Sequence, residues 1–220
     1  MTATAQIAKP QRYEELLQAA AECFQKQGFA ATSIDTVARH LGSTKGRVYH
    51  YFPSKIDLFN AVRERAMELA HDGIRPGYEA EASAIERLTR MAFGQSMAMM
   101  QHHSYMQVLL DGLQMQRFGA TTEFQRQAME RHLRDRNAVE GMFREVMTAA
   151  SEDGSIVIGS PSITLQSFLV ALNGPVFWYR PREDDNTEKH EAIANEVVRF
   201  AMLGLGVSEV PKLSTIGGGA

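Results

Sequence analysis

The segment from residue 33 to residue 55 constrains the fold more than any other part of this 220-residue chain. Its sequence, SIDTVARHLGSTKGRVYHYFPSK, indicates two short helices separated by a turn at Gly42. The second helix covers about Lys45–Tyr51 and must end before Pro53, because a residue that precedes proline is pushed out of the helical region. Its basic and aromatic side chains are typical of a helix that enters the major groove of DNA.

The distribution of charge agrees with this interpretation, although the whole chain carries a formal net charge of −3. Residues 1–60 contain seven lysines and arginines against five acids, and the remaining residues contain sixteen against twenty-one. Electrostatic attraction to phosphate acts over a Debye length of about 8–10 Å. A basic tip on an acidic body therefore suits a protein that touches DNA through its tip.

Apolar residues recur with helical spacing along almost the whole chain and no segment alternates as a strand would, so we expect an all-α fold. Gly28 is expected to stop the first helix, and Gly73–Gly77 is interpreted as the main break between two domains. The expected organisation is a disordered arm (1–9), a three-helix domain with a helix-turn-helix (10–54), a connecting helix (55–72), a helical bundle (73–206) and a flexible tail (207–220).

Several capping residues mark further helix starts. Ser33 can cap the first helix of the motif, and Ser83 with Glu86 has the spacing of a capping box. Ser160 followed by Pro161 has the pattern of an N-cap and a first-turn proline. A kink is expected at Gly174-Pro175, because proline removes a backbone donor inside a helix.

Many residue types at fixed spacing between about Tyr13 and Ala61 resemble the TetR family of bacterial transcription regulators. The segments that carry the resemblance are Gly28-Phe29, Thr32-Ser33-Ile34, Val37-Ala38, Leu41-Gly42, Val48–Phe52 and Ser54–Leu58. The resemblance implies a homodimer with an all-helical body that binds double-stranded DNA. It also implies that a small molecule bound in the body releases the DNA, which makes repression the expected mode of regulation.

The motif contains ten candidate DNA contacts. Arg47 can bind guanine bidentately, Gly46 lets the backbone approach DNA closely, and Lys55 lies at a helix start that favours phosphate. A near-palindromic operator is expected for a dimer. The candidates are Ser33, Thr36, Thr44, Lys45, Gly46, Arg47, Tyr49, His50, Tyr51 and Lys55.

The central helices are rich in methionine and aromatic residues, most of which are expected to form the core. Methionine also fills irregular space and adapts to varied ligands, so a pocket for an apolar or amphipathic effector is predicted. The candidate effector contacts are Met97, Met100, His102, Tyr105, Met106, Leu109, Phe118, Phe143, Met147, Phe168, Asn173 and Trp178.

Two C-terminal segments, Leu165–Tyr179 and Ile193–Leu205, are apolar on two sides. A helix of this kind is buried on both sides, which predicts that these segments pack on the body and on a second copy of the chain. Residues 160–205 also resemble, more weakly, the corresponding part of TetR-family regulators that respond to acyl-CoA thioesters or related lipid and steroid catabolites. This resemblance implies a CoA thioester as one of several effector classes.

Catalytic and metal-binding patterns are absent from the sequence, so no enzyme activity, cofactor or metal is expected. The adjacent His102 and His103 point about 100° apart on a helix, and the single cysteine, Cys23, is expected to be a buried structural thiol. No stretch approaches the ~20 apolar residues needed to span a bilayer, so a cytoplasmic location is expected. Two alternatives stay open: a regulator controlled by a protein partner, and a helical small-molecule-binding protein without ligand-gated DNA release.

Overall fold

The structure is a computed structural model that describes the backbone of residues 8–116 and 123–214 and the side chains of residues 11–112, 126–127 and 130–214. The described residues form helices and contain no strand, which confirms the predicted all-α fold. The helices are α1 (Ala8–Ala31), α2 (Ile34–His40), α3 (Lys45–Tyr51), α4 (Lys55–Tyr78), α5 (Ala84–Gln101), α6 (His103–Gln116), α7 (Glu123–Glu152), α8 (Pro161–Asn173), α9 (Pro175–Trp178) and α10 (Thr187–Leu203).

Contacts within the chain group its residues into two compact units. Unit 1 contains residues 1–67 and 104–132, and unit 2 contains residues 68–103 and 133–220. The beginning of α7 and nearly all of α6 thus group with the N-terminal helices, whereas the sequence predicted one continuous body from residue 73. Packing between distant parts of a chain leaves no local pattern, which is why the sequence did not indicate this grouping.

The core of unit 1 is built around three phenylalanines on α1 and α4. The ring centroids of Phe24 and Phe59 lie 5.1 Å apart, and those of Phe29 and Phe59 lie 4.8 Å apart. Helix α1 is interrupted at Gly28, where φ is 75°, so the predicted stop is confirmed. The buried Thr32 hydroxyl donates to the carbonyl oxygen of Gly28 at 2.8 Å and thereby fixes the bend.

The helix break predicted between Gly73 and Gly77 is wrong, because α4 continues through this segment with Pro76 inside it. The glycines instead allow α4 to pack closely against α5. A Cβ atom at Gly94 would lie 1.9 Å from the carbonyl oxygen of Gly73, and a Cβ atom at Gly77 would lie 2.5 Å from the backbone nitrogen of Met91. The connecting helix therefore extends beyond its predicted end at residue 72.

Of the predicted helix caps in unit 2, one is confirmed and one is wrong. Ser83 and Glu86 form the expected capping box, with the Ser83 amide donating to the Glu86 carboxylate at 3.0 Å. Ser160 makes no side-chain capping bond, although Pro161 opens α8 as predicted. The helix is interrupted where the kink was predicted, since α8 ends at Asn173 and the short α9 begins immediately after Gly174.

The segment from residue 207 to Ser214, which the sequence predicted to be part of a flexible tail, forms no helix but contacts α10 through hydrogen bonds. Asn195 on α10 donates from Nδ2 to the Leu213 carbonyl at 2.8 Å, and the Leu213 amide donates back to Asn195 Oδ1 at 2.7 Å. The Ser214 hydroxyl donates to Glu191 at 3.0 Å. Residues 1–7 and 215–220 lie outside the described residues; α1 already begins at Ala8, inside the predicted arm.

Candidate DNA-reading surface and effector region

Side-chain caps fix the start of each helix of the helix-turn-helix motif. The Ser33 hydroxyl accepts from the Thr36 amide at 3.1 Å, which confirms the predicted cap of α2. The Thr44 hydroxyl accepts from the Arg47 amide at 3.4 Å at the start of α3. Gly42 has a φ of 63°, a left-handed conformation that suits glycine, and it places the turn where the sequence predicted it.

Helix α3, called the reading helix below, buries one side chain fully and leaves most of the others exposed. Val48 is fully buried, whereas Lys45, Arg47 and Tyr49 are exposed. Lys45 pairs with Asp35 at 3.2 Å, and both side chains are about half exposed, so this weak pair can exchange for a phosphate. Arg47 has no partner among the described residues, which leaves its guanidinium free to contact a base edge.

The aromatic side chains of the reading helix differ in how far they reach into solvent. Tyr49 is 44% exposed, and the Lys45 ammonium lies 5.9 Å from its ring centroid. Tyr51 is half-buried, with its ring 6.1 Å from that of Tyr13 and 5.4 Å from that of His50. Tyr49 is therefore better placed to contact DNA, and Tyr51 packs against α1.

Lys55, predicted to bind phosphate, ties the start of α4 to the end of α1. Its ammonium donates to the carbonyl oxygen of Phe29 at 2.8 Å and to that of Ala30 at 3.2 Å. It also lies 4.4 Å from the centroid of the Phe29 ring. Two of its three donors are thus engaged within unit 1, and its role as a DNA contact stays a prediction.

The variant Lys55→Met is expected to lower the free energy of unfolding by about 1–2 kcal/mol, because charge-assisted hydrogen bonds and a cation–π contact are lost. For a chain of this size the melting temperature should fall by about 4 °C. Differential scanning calorimetry of Lys55→Met and Lys26→Met tests this, since Lys26 is exposed. An unchanged melting temperature for Lys55→Met would contradict the structural role.

The candidate effector residues of unit 2 lie mostly in its core. Phe143 on α7 and Phe168 on α8 are buried, with ring centroids 6.2 Å apart in an edge-to-face arrangement. Met97, Met100 and Met147 are buried as well. All five side chains are thus buried as core residues are, and their contact with an effector stays a prediction.

A pair of amides inside unit 2 links α5 to the kink after α8. The Gln95 amide donates from Nε2 to Asn173 Oδ1 at 2.7 Å, and the Ser96 hydroxyl donates to the Leu172 carbonyl at 3.4 Å. Gln95 is buried, and its Oε1 atom has no partner among the described residues. Sequence reasoning selected Asn173 but missed Gln95, whose signal was a polar residue within the apolar stripe of α5.

The remaining effector candidates lie elsewhere. In unit 1, Tyr105 and Met106 are buried and Leu109 is half-buried. Burial is the largest cause that raises the pKa of Tyr105. His102, in unit 2, is half-buried at the C-terminal end of α5. Phe118 lies outside the described residues.

Trp178 lies in an open groove on the surface of unit 2 rather than among the buried candidates. Its side chain is 55% exposed. The groove between α8, α9 and α10 has a volume of about 700 Å³. It is lined by Val170, Ala171, Gly174, Trp178, Ala192, Ile193, Glu196, Val197 and Phe200. The apolar pattern from which Trp178 was predicted to contact the effector thus belongs to an exposed apolar face of unit 2.

Three further features of the described residues concern the cysteine thiol, metal ligands and membrane-spanning helices. Cys23 is buried, as predicted, and burial is the main cause that raises the pKa of its thiol. Among the described residues, no three histidine, cysteine or acidic side chains converge on a position where they could bind a metal ion. No described helix combines the length and the apolar character that crossing a membrane would require.

Two family profiles match the chain and together cover most of it. Residues 16–62 match the profile described as bacterial regulatory proteins of the tetR family. Residues 81–205 match the profile described as the tetracyclin repressor-like C-terminal domain, which alone covers more than half of the chain. The chain belongs to the TetR family. This TetR-family protein is therefore a DNA-binding transcriptional regulator.

Relatives of known name agree with this assignment. The HTH-type transcriptional repressor KstR2 of Mycobacterium tuberculosis is 26% identical over 144 residues, which are 65% of this chain and 68% of that protein. The HTH-type transcriptional activator FasR of Mycolicibacterium smegmatis is 30% identical over 82 residues, which are 37% of each chain. The named relatives thus include both a repressor and an activator.

Solved structures share the fold at low sequence identity. The ketosteroid transcriptional regulator KstR2 of Mycobacterium tuberculosis superposes with a TM-score of 0.76 at 20% identity, over 94% of this chain and all of that one. The regulator PfmR of Thermus thermophilus superposes with a TM-score of 0.71 at 22% identity, over 88% and 98% of the two chains.

Proposed function

We propose that this TetR-family regulator is a cytoplasmic homodimeric repressor that binds a near-palindromic operator through α3 and leaves it when an apolar or amphipathic effector binds. The observation that carries the DNA-binding step is the capped and exposed reading helix with the unpaired Arg47 at its start. Repression rather than activation is supported by the relative KstR2, which is named a repressor. A homodimer carries two reading helices, and such helices read half-sites one DNA turn, about 34–36 Å, apart.

The apolar groove on unit 2 supports the proposed dimer. Val170 on α8 is 67% exposed and Phe200 on α10 is 71% exposed in a single chain. A contiguous apolar surface of this kind is unusual on a monomer and typical of an interface. Covering it with the same face of a second copy buries both helices that the sequence predicted to pack on two sides, Leu165–Tyr179 and Ile193–Leu205.

An apolar or amphipathic effector is supported by the character of the candidate residues and by the relatives. KstR2 is described as a ketosteroid transcriptional regulator. Methionine-rich helices can repack around ligands of varied shape, and the Gln95–Asn173 amide pair offers polar recognition inside unit 2. A CoA thioester is one member of this effector class.

The experiment that tests this function begins with selection of bound fragments from a random DNA library, followed by footprinting. Two protected half-sites related by symmetry are expected, and protection of a single site would contradict the dimeric mode of reading. Native mass spectrometry of the protein as purified then tests for a discrete added mass on the dimer. Release of the selected DNA by the identified compound is the expected result, whereas a compound that binds without release would contradict the switch.

The variant Arg47→Ala is expected to weaken binding to the selected operator about 10- to 100-fold and to relax its base preference, because a bidentate contact to guanine is lost. Gel-shift titration against the operator and a scrambled duplex measures both effects. The matched variant Arg47→Lys keeps the charge but lacks the planar guanidinium fork. Its affinity for DNA should therefore keep the wild-type dependence on salt concentration but lose the preference for the operator over the scrambled duplex. An equal loss of affinity for both duplexes in Arg47→Ala would contradict base reading by this residue.

A further inference from the structure

A buried arginine in unit 1 stands apart from the other charged residues of α4. Arg63 is 7% exposed, and its Nε and Nη2 atoms have no hydrogen-bond partner among the described residues. By contrast, Arg65 on the same helix bonds to Glu14 at 3.1 Å. Arginine keeps its charge at any physiological pH, so burial does not neutralise this group.

Among the described residues, neither Glu64 nor Asp111 supplies the missing partner. Glu64 follows Arg63 directly on the helix and therefore points about 100° away. Its carboxylate accepts from Arg131 at 3.3 Å at an exposed position. Burial lowers the pKa of Arg63, and the Glu64 charge offsets this effect only in part. Asp111, half-buried on α6, has a pKa that burial raises, with no opposing effect from a cation.

The neighbouring helix is adapted to hold this guanidinium. A Cβ atom at Gly112 on α6 would lie 2.3 Å from Arg63 Nε, 2.7 Å from its Cδ atom and 2.8 Å from its Cζ atom. Glycine within a helix is unfavourable relative to alanine, so a glycine here is explained by the space that it leaves for the arginine. The described part of the chain thus makes room for a buried cation that none of its acidic side chains pairs.

We propose that Arg63 binds an oxyanion of the effector, a carboxylate or a phosphate. A guanidinium presents donors in a planar fork that matches both groups, and such charge-assisted bonds are strongest away from water. This inference rests on the proposed function in one respect, namely that the anion belongs to the molecule that controls DNA binding. The proposed class of effector changes from any apolar or amphipathic compound to such a compound with an acidic group.

The test compares the wild-type protein with Arg63→Met in the full chain. Removing a buried arginine that is paired within the protein lowers the free energy of unfolding. Replacing an unpaired buried arginine by an apolar side chain of similar length leaves the free energy of unfolding unchanged or raises it. The melting temperature of ligand-free Arg63→Met is therefore expected to be unchanged or raised. A fall of several degrees would overturn the proposal, because it would mean that the protein itself pairs the charge.

Three probes distinguish the two kinds of anion. Dodecanoyl-CoA carries phosphates, dodecanoic acid carries a carboxylate, and methyl dodecanoate carries neither group. We expect at least one acidic probe to bind the wild-type protein in isothermal titration calorimetry, and to bind Arg63→Met about 10- to 100-fold more weakly. The ester should bind both proteins equally. If neither acidic probe binds the wild-type protein more tightly than it binds Arg63→Met, the proposal is overturned.

The variant Gly112→Ala gives an independent measurement, since the added methyl group displaces the guanidinium without removing its charge. It should weaken binding of the acidic probe in the wild-type background and have no further effect when combined with Arg63→Met. If Gly112→Ala and Arg63→Met weaken binding of the acidic probe additively, the proposed contact between Gly112 and the Arg63 guanidinium is overturned. Gel shifts with the selected operator keep the two hypotheses separate: Arg63-dependent binding without DNA release would contradict the proposed function alone, and DNA release independent of Arg63 would contradict this proposal alone.

Discussion

The variant Gly94→Ala is expected to lower the free energy of unfolding by about 2–3 kcal/mol, although alanine is normally favoured over glycine in a helix. The new Cβ atom would lie 1.9 Å from the carbonyl oxygen of Gly73 and 2.8 Å from its carbonyl carbon. Both obstacles are backbone atoms, which cannot rotate away as a side chain could. Helices α4 and α5 must therefore separate, and the buried contacts around Gly73 must loosen with them.

Thermal unfolding followed by circular dichroism measures this effect, and a fall in melting temperature of about 5–10 °C is expected. Gly141 on α7 is the matched control, because a Cβ atom there meets no atom within 4 Å. The variant Gly141→Ala should raise the free energy of unfolding by about 0.5–1 kcal/mol. Equal effects of the two substitutions would contradict close packing of α4 on α5.

Boundaries set by local chemistry were predicted correctly from the sequence. The stop at Gly28, the cap at Ser33 and the turn at Gly42 each depend on residues a few positions apart. The break assigned to Gly73–Gly77 was wrong, since glycine serves both to end helices and to let helices approach. The choice between these uses depends on α5, whose contact with α4 no local pattern shows.

The exposure of the candidate DNA contacts on the reading helix was predictable for the same reason, because this helix is short and its exposed side chains follow from its own periodicity. The tie made by Lys55 was not predictable, because its acceptors are carbonyl groups 25 and 26 residues earlier in the chain. Arg63 did leave a signal in the sequence. It lies four residues after Phe59 and four before Met67, both buried, so it falls within the apolar stripe of α4.

The substitution Phe200→Asp is expected to convert the proposed dimer into monomers and to raise its dissociation constant at least about 1000-fold, equivalent to about 4 kcal/mol. Phe200 lines the groove and is 71% exposed in one chain, so the isolated subunit should tolerate the change. In a two-fold symmetric interface each substitution acts twice, and a Phe side chain loses about 1.5–3 kcal/mol of burial each time. Burial of two unpaired carboxylates adds a further cost.

Analytical ultracentrifugation at micromolar concentration measures the assembly, and circular dichroism shows whether the monomer stays helical. Val157 supplies the control, since it is 76% exposed but does not line the groove, so Val157→Asp should remain dimeric. Because linked binding to two half-sites is lost with the dimer, Phe200→Asp should also bind the operator far more weakly than the wild-type protein does. A dimeric Phe200→Asp protein with normal operator affinity would mean that another surface joins the two copies.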